Sequence, residues 1–561
     1  MARLVPVLLL LVGLGLRLGL AWQDHLILLS EFVWSDDAYI SLSVARNLAH
    51  GHGMTSDGVN VTNGFQPLYV FLLVPVYLLV SPDNLVLPVH VAGTLLAVAG
   101  TVAAGLFYLI ALRLFSRTAA LCVLFFFTVS HYFVATDVNG LETALYGLTL
   151  SGTLYYYLTR FGPAQSPSGG QCAILGVLAG LTALARVDGV ILVACVAVHF
   201  VWERRRAIAP ALRQAAIGSA AFLVTLAPWL AANLVLCKTI VPASGPAVRF
   251  IAIHNGWRPV SNLVGYTGPG EFTKDDIPWQ YYANNTLRLT AQIIAFLPMT
   301  AHAQGFATSF VFNKMERFPI GRLLARAPWA SLAMVVAVTV AVLVLPPLVK
   351  RQRLNVRSGL GAVVFLRFAV VGWIGAYGFY VLCPWYSHRY LYPVLALLTL
   401  GSGAVVHVFL GMLPERRRGL RRALLVLGAV TYTFLFVTQT GHYYTAHRSP
   451  GLPDRHSPVI PWIKDHVPAD ATIACFQSGI LSYFLPHRCV NLDGVVNAAA
   501  LRAARENRLW DYIRRAGVDY IVDWPICIER NLKPFAGIDR LPLVTVYDEY
   551  SMDVFKIDEV P

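Results

Sequence analysis

Charged side chains are scarce in this sequence. Asp, Glu, Lys and Arg make up 13% of its 561 residues, hydrophobic residues 57%, and the mean hydropathy is +0.59. A soluble domain carries about a quarter charged residues and about half apolar ones, so the composition excludes an ordinary water-soluble enzyme. The eight cysteines are scattered and form no Cys-x-x-Cys, which removes the usual sequence signature of a zinc or dithiol centre. Cys475 and Cys489 can pair if their strands are neighbours, or can stay as two buried thiols. The chain has no internal repeat and no long low-complexity tract, so repeat architectures and compositionally disordered segments are set aside.

What the chain has in abundance is apolar sequence in long runs. Stretches near 20 residues recur from the N-terminus to about residue 438, and each can cross a hydrocarbon core about 30 Å thick as a helix. Formal net charge is +14, unevenly spread: residues 440–561 hold 15 of the 30 acidic and 13 of the 44 basic residues, a net of −2, so the rest carries +16. A basic total can signal nucleic acid. Here the arginines fall in short loops between apolar runs, which is the positive-inside pattern, and no nucleic-acid partner is expected.

Four basic clusters set the sidedness: Arg113 with Arg117, Arg204 to Arg206 with Arg213, Lys350 to Arg357, and Arg416 to Arg422. With all four in the cytoplasm, spans are expected at roughly 4–22, 88–112, 119–136, 141–159, 172–186, 189–203, 212–236, 329–349, 360–382, 390–411 and 421–439, about eleven crossings. The first segment, Leu4 to Trp22, reads as an uncleaved helix, because Arg17 interrupts it and no clear small-x-small site follows. The run Phe65 to Val80 breaks the parity if it spans, and is read as a helix lying in or dipping into the outer interface. One helix over 172–203 would bury Arg186 and Asp188 mid-bilayer, so two short helices meeting between Ala185 and Gly189 are expected.

The fold class expected is an α-helical polytopic membrane protein with a C-terminal soluble α/β domain. Residues 1–447 form the membrane part, with outer loops 23–64 and 237–328, and 448–561 form the extracytoplasmic domain. Its pattern predicts a helix over 457–467, strand Thr472–Phe476, a short helix over 478–485, strand Cys489–Leu492, a helix over 497–516, strand Tyr520–Asp523, and β-structure over 543–557.

The most informative segment is Trp34-Ser-Asp-Asp-Ala-Tyr-Ile40, followed by Ser43-Val-Ala-Arg-Asn-Leu-Ala-His-Gly-His-Gly53. Two adjacent carboxylates raise one another's pKa, and a raised carboxylate can serve as a base near neutral pH. Asp36 or Asp37 can equally cap the helix expected over Ala38 to Leu48. Thr62-Asn-Gly-Phe-Gln-Pro-Leu-Tyr69 supplies Asn63 and Gln66 at the start of the dipping helix. Asp137-Val-Asn-Gly-Leu-Glu-Thr143, Ala185-Arg-Val-Asp-Gly189 and Pro384-Trp-Tyr-Ser-His-Arg-Tyr390 place Glu142, Arg186, Asp188, His388, Arg389 and Tyr390 at outer membrane boundaries. Arg186, His388 and Arg389 there either snorkel to the interface or bind an anion, since a guanidinium matches phosphate geometry.

Taken in this order, these motifs resemble the GT-C superfamily of polytopic glycosyltransferases. The resemblance is nearest to bacterial members related to the protein mannosyltransferases and mycobacterial arabinofuranosyltransferases, and it covers most of residues 1–450. Ile460-Pro-Trp-Ile-Lys and Asn491-Leu-Asp-Gly-Val are similar to the soluble domain often appended to them. The resemblance implies a polyprenyl-phosphate sugar donor, a glycan, lipid or protein acceptor on the outer side, surrounding membrane lipids, and inversion at the anomeric carbon. It implies Asp36 or Asp37 as the catalytic base. Arg389, Arg186 and His388 then face the leaving phosphate, and Glu142 and Asp188 orient sugar hydroxyls or hold those cations. Some members of the superfamily also carry a divalent cation on acidic residues, and the resemblance offers Asp36, Asp37, Asp137 and Glu142 for one, although carboxylates alone do not name the metal. The alternative is a transporter or flippase of a lipid-linked sugar, because boundary charges also mark substrate pathways.

Overall fold

The computed structural model describes residues 4–29, 34–161, 166–254, 365–366, 369–378, 388–412, 419–420, 423–428, 430, 458–549 and 552–558. Expected span 329–349 lies outside these residues, as do parts of 360–382 and 421–439 and most of loop 237–328. The first stretches form α1 (Leu4–Ala21), α2 (His25–Leu29), α3 (Asp36–Ala49), α4 (Pro67–Leu79), α5 (Val86–Leu114), α6 (Arg117–Val129), α7 (His131–Asp137), α8 (Thr143–Arg160), α9 (Gly169–Ala185), α10 (Gly189–Glu203), α11 (Ile208–Ala232) and α12 (Ser244–His254). They are followed by α13 (Ala369–Gly378) and α14 (His388–Met412).

Among the described residues, Leu4–Ala21, Val86–Leu114 and Arg205–Cys237 are long and apolar enough to cross a membrane. Arg117–Val129 and His131–Asp137, bent by 53° at their break, make a fourth if they act as one span. α4 follows the apolar run at Phe65 but is only 13 residues long. At 1.5 Å per residue it extends about 20 Å, short of a full crossing. Pro67 at its first turn favours the start. The region 172–203 is two helices, α9 and α10, with Arg186 to Asp188 in the turn between them.

Two polar features of the helical part are met by specific partners. α9 opens with a capping box: the Gln171 amide donates to Ser168 Oγ at 3.3 Å and the Ser168 amide to Gln171 Oε1 at 2.8 Å. The Arg17 side chain, 1% exposed, donates through Nη2 to Asp137 Oδ2 at 2.6 Å and to the Phe127 carbonyl at 2.9 Å, tying α1 to α6 and α7. Small residues let helices close on each other. Gly176 and Gly180 of α9 form a Gly-x-x-x-Gly step against Gly218 and Thr225 of α11. A Cβ at Gly176 would overlap the Gly218 carbonyl.

The C-terminal region contains α15 (Val459–His466), β1 (Thr472–Cys475), α16 (Gly479–Phe484), β2 (Arg488–Asn491), α17 (Ala498–Arg505), α18 (Leu509–Arg515), β3 (Tyr520–Asp523), β4 (Leu543–Tyr547) and β5 (Asp553–Ile557). The sheet order is β2-β1-β3-β5-β4. β1 pairs parallel with β2 and β3, and β5 pairs antiparallel with β3 and β4. The single helix expected over 497–516 is two. Asn507 adopts φ 53° between them, and Gly537 packs so closely on the Asn507 carbonyl that a side chain there would collide. β1 and β2 are neighbours, but their register sets Cys475 opposite Asn491 and Cys489 opposite Ile473, and both cysteines are free, buried thiols.

The tail packs directly on the N-terminal helices through one shared apolar core. Tyr39 of α3 contacts the rings of Tyr483 and Phe484 at 5.5 and 5.4 Å. The Tyr77 hydroxyl donates to the Tyr483 hydroxyl, which donates to the Leu85 carbonyl. Gly64 lies so close to the Val495 carbonyl that only glycine fits, a second reason for the Asn63-Gly64 step besides a turn. Arg488 reaches Asp57 at 3.7 Å.

Candidate active site

α3 begins at the acidic pair. Ser35 is the N-cap residue, and its side chain makes no capping bond. Asp36 and Asp37 therefore occupy the first turn, where negative charge complements the helix dipole, and neither is the cap expected from sequence. Their side chains part company. The Asp36 carboxylate points at the tail and accepts from the Gly479 amide at 2.9 Å and the Ile480 amide at 2.8 Å. Burial pushes its carboxyl up to about 7 against the pull of those two donors, and the nearby charges of Asp37 and Asp523 add to the rise. Asp37, 45% exposed at its side chain, turns the other way and accepts from Arg389 Nη2 at 2.6 Å.

From Arg389 a chain of contacts runs to the turn between α9 and α10. The Arg389 guanidinium lies 5.1 Å from the Tyr390 ring centroid, and Arg186 lies 4.9 Å from the same ring. Tyr390 is thus flanked by two cations, an arrangement its ring quadrupole favours. Arg186 is 4% exposed. Its Nε donates to Asp188 at 3.1 and 3.2 Å, and its Nη1 donates to Glu142 Oε1 at 3.1 Å. The Tyr377 hydroxyl donates to Asp188 Oδ2. Glu142 sits at the start of α8, next to the Gly140 turn whose carbonyl accepts from the Tyr69 hydroxyl at 2.9 Å. Two carboxylates thus fix one guanidinium, so Glu142 and Asp188 hold a cation in place here.

The fold brings Asp37, Arg389, Tyr390, Arg186, Glu142 and Asp188 into one continuous run of contacts. Asn63 is used elsewhere: its amide donates to the Val241 carbonyl at 3.2 Å and its Oδ1 accepts from the Ala243 amide at 3.0 Å, clamping the segment after α11. Gln66 is the N-cap residue of α4 and makes no capping bond, with its Oε1 buried and unpartnered. His388 opens α14. The four carboxylates expected as a divalent-cation set do not assemble. Asp137 is held by Arg17, Glu142 by Arg186, Asp37 by Arg389, and Asp36 by backbone amides. Among the described residues no three His, Cys, Asp or Glu side chains stand as a ligand group.

The contact of the tail with Asp36 was not read from the sequence, although the strand-end turn at Asp493-Gly494 is where such α/β domains tend to bind. Beyond Gly479 and Ile480, the carboxylates Asp493 and Asp523 stand close enough to Asp36 to influence it, and burial raises them to about 7 and about 6. Asp493 follows β2 and Asp523 ends β3, so both lie at the carboxyl end of the parallel strands, where open α/β sheets present their sites. Arg46, noted only as part of a motif, donates to the Tyr483 and Ser482 carbonyls at 2.9 Å each. For Arg17 a signal was available, since an arginine within an apolar helix calls for a buried acidic partner.

A family model described as a domain of unknown function (DUF8728) matches residues 448–554. No curated protein matches the chain by sequence. Solved structures do resemble it. ArnT from Cupriavidus metallidurans, bound to undecaprenyl phosphate, aligns with a TM-score of 0.55 at 15% identity, over 99% of this chain and 98% of its own. The oligosaccharyltransferase AglB from Archaeoglobus fulgidus, in complex with an inhibitory peptide and a dolichol-phosphate, aligns at 0.51 and 13% identity, over 100% of this chain and 75% of its own. An Archaeoglobus fulgidus oligosaccharyltransferase in complex with zinc and sulfate aligns at 0.51 and 14% identity, over 99% of this chain and 73% of its own. At these identities the likeness is one of fold, and the chain has the GT-C fold.

Proposed function

We propose that this chain is a membrane glycosyltransferase that moves a sugar from a polyprenyl-phosphate donor to an acceptor on the outer face of the membrane, with inversion. The observation that carries the reading is the Asp37–Arg389–Tyr390–Arg186 array, a partly exposed carboxylate beside two cations that flank one ring. Inverting transfer needs those two elements. A carboxylate takes the proton of the attacking hydroxyl, and fixed cations meet the charge that grows on the departing lipid phosphate. Glu142 and Asp188 keep Arg186 aimed. The apolar face of α4, beside Phe65, Phe71 and Trp229, seats the prenyl chain. The reading draws support from relatives of the same fold that bind undecaprenyl phosphate and a dolichol-phosphate.

The same proposal includes the topology. About eleven crossings place 1–447 in the membrane, with the acidic pair, the turn at Arg186 and the tail from 448 on the outer side. Sugar, linkage and acceptor class stay open between glycan, lipid and protein. The test is transfer of labelled sugar from a panel of polyprenyl-phosphate donors in membranes carrying the chain. Transfer that falls by about 10²–10⁴-fold on Arg389→Gln, with expression unchanged, supports the reading. Movement of a lipid-linked sugar between leaflets with no transfer from any donor overturns it in favour of a flippase.

A further inference from the structure

The two aspartates are adjacent in sequence, yet the helix turns their carboxylates to different partners. Both Asp36 oxygens are taken by backbone amides of the tail, at 2.9 and 2.8 Å across 443 and 444 residues of sequence. One turn short of its far end, α3 carries Arg46, which donates to the Ser482 and Tyr483 carbonyls. The six-residue helix α16 is therefore held at its amino end by a carboxylate and at its carboxyl end by a guanidinium, both from α3, each with the sign its backbone groups call for. Gly479 has no room for a side chain, because a Cβ would overlap the Asp36 carbonyl. Asp37 uses one oxygen on Arg389, and among the described residues nothing donates to the other.

We propose that the pair divides its work: Asp37 is the base, and Asp36 is a positioning residue that fastens α16 to α3 and so holds Asp37 against Arg389. This rests on the glycosyltransferase reading. In the step, the acceptor oxygen forms its bond to the anomeric carbon as the bond from that carbon to the phosphate oxygen breaks. The acceptor proton passes to Asp37 Oδ1, and the bonding pair leaves on the lipid phosphate, whose charge faces Arg389. Asp36 takes no proton from the acceptor, since its oxygens are turned to Gly479 and Ile480 and away from Arg389.

The experiment runs transfer kinetics beside hydrogen–deuterium exchange of the peptide spanning 476–484, at one pH, on the full chain in membranes or nanodiscs. Asp37→Asn is expected to lower kcat by about 10²–10⁴-fold while the 476–484 amides exchange as in wild type. Asp36→Asn is expected to speed exchange at 476–484 and to keep measurable transfer, with the acid limb of its pH–rate profile where the wild type has it. Gly479→Ala breaks the same contact from the tail side without touching a carboxylate, and should reproduce the Asp36→Asn phenotype in both readouts. If Asp36 were the base, Gly479→Ala would free its oxygens and leave transfer intact. A silent Asp36→Asn with wild-type exchange at 476–484 overturns the division, and so does substantial transfer by Asp37→Asn. Failure of the wild type with every donor counts against the functional reading instead, and the exchange arm still reports whether Asp36 holds the tail.

Discussion

A carboxylate's surroundings decide its role more than its type does, and three of the acidic side chains here make the point. Asp137, one of four carboxylates available for a cation if the chain holds one, is spent on Arg17 inside the helical part, each 1% exposed. A buried pair of this kind adds little net stability, but removing one partner strands the other charge. Asp137→Ala should therefore destabilise the chain by about 3–5 kcal/mol, seen as a lower unfolding temperature in detergent. Arg17→Met with Asp137→Leu should recover most of the loss, and a double variant as unstable as the single one would show that the pair contributes more than charge neutralisation. Asp36 and Asp37 could be singled out from sequence because an acidic pair beside an apolar wall is chemically conspicuous. Their separation could not, because it depends on which neighbour each meets, and the neighbours come from residues 389 and 479–480.

Elements were legible in sequence where one local rule governs them. The start of α4 at Pro67, the break between α9 and α10 at Arg186 to Asp188, and strand Tyr520–Asp523 each follow from a proline, a charged turn or a β-branched run. The break at Asn507 was missed, although an asparagine in the left-handed conformation just past a helix end is itself a local stop. The helix contact between α9 and α11 was not read from the sequence, although a local signal marks it. The Gly-x-x-x-Gly step at 176 and 180 signals close approach without a hydrophobic driving force between helices. Gly176→Val must push α11 away from α9, since the Gly218 carbonyl fills the space its side chain needs. The expected outcome is a markedly lower unfolding temperature, with Gly152→Val, at a site where nothing lies within 4 Å of the added carbon, as the silent control.

At the scale of the whole molecule, the GT-C fold and the α/β tail were both foreseeable, but their junction was not, since no local pattern says that α16 will lie on α3. That junction should depend on pH. Docking raises the Asp36 carboxyl to about 7 from the ordinary value near 4, so the docked state binds that proton more tightly. The contribution is full below the ordinary value and is lost as pH rises through about 7. Asp37, Asp493, Asp523 and the Cys475 thiol face the same space, and burial raises Asp493 and Asp523 in the same direction. Exchange at 476–484, corrected for its intrinsic pH dependence, should thus be slower at pH 5 than at pH 8. Asp36→Asn should reduce that difference, and a wild type with no difference at all would remove Asp36 from the linkage.

The clasp of α3 on α16 also sets an order in time. Asp36 and Arg46 leave the ribosome more than 400 residues before the amides and carbonyls they hold. Until residues 479 and 480 arrive, a nascent chain has Arg389 to meet Asp37 but not the two amides that meet Asp36. A chain cut off by a premature stop or by proteolysis before Gly479 stays in that state. The clasp on α16 thereby ties the first turn of α3 to synthesis having passed residue 480.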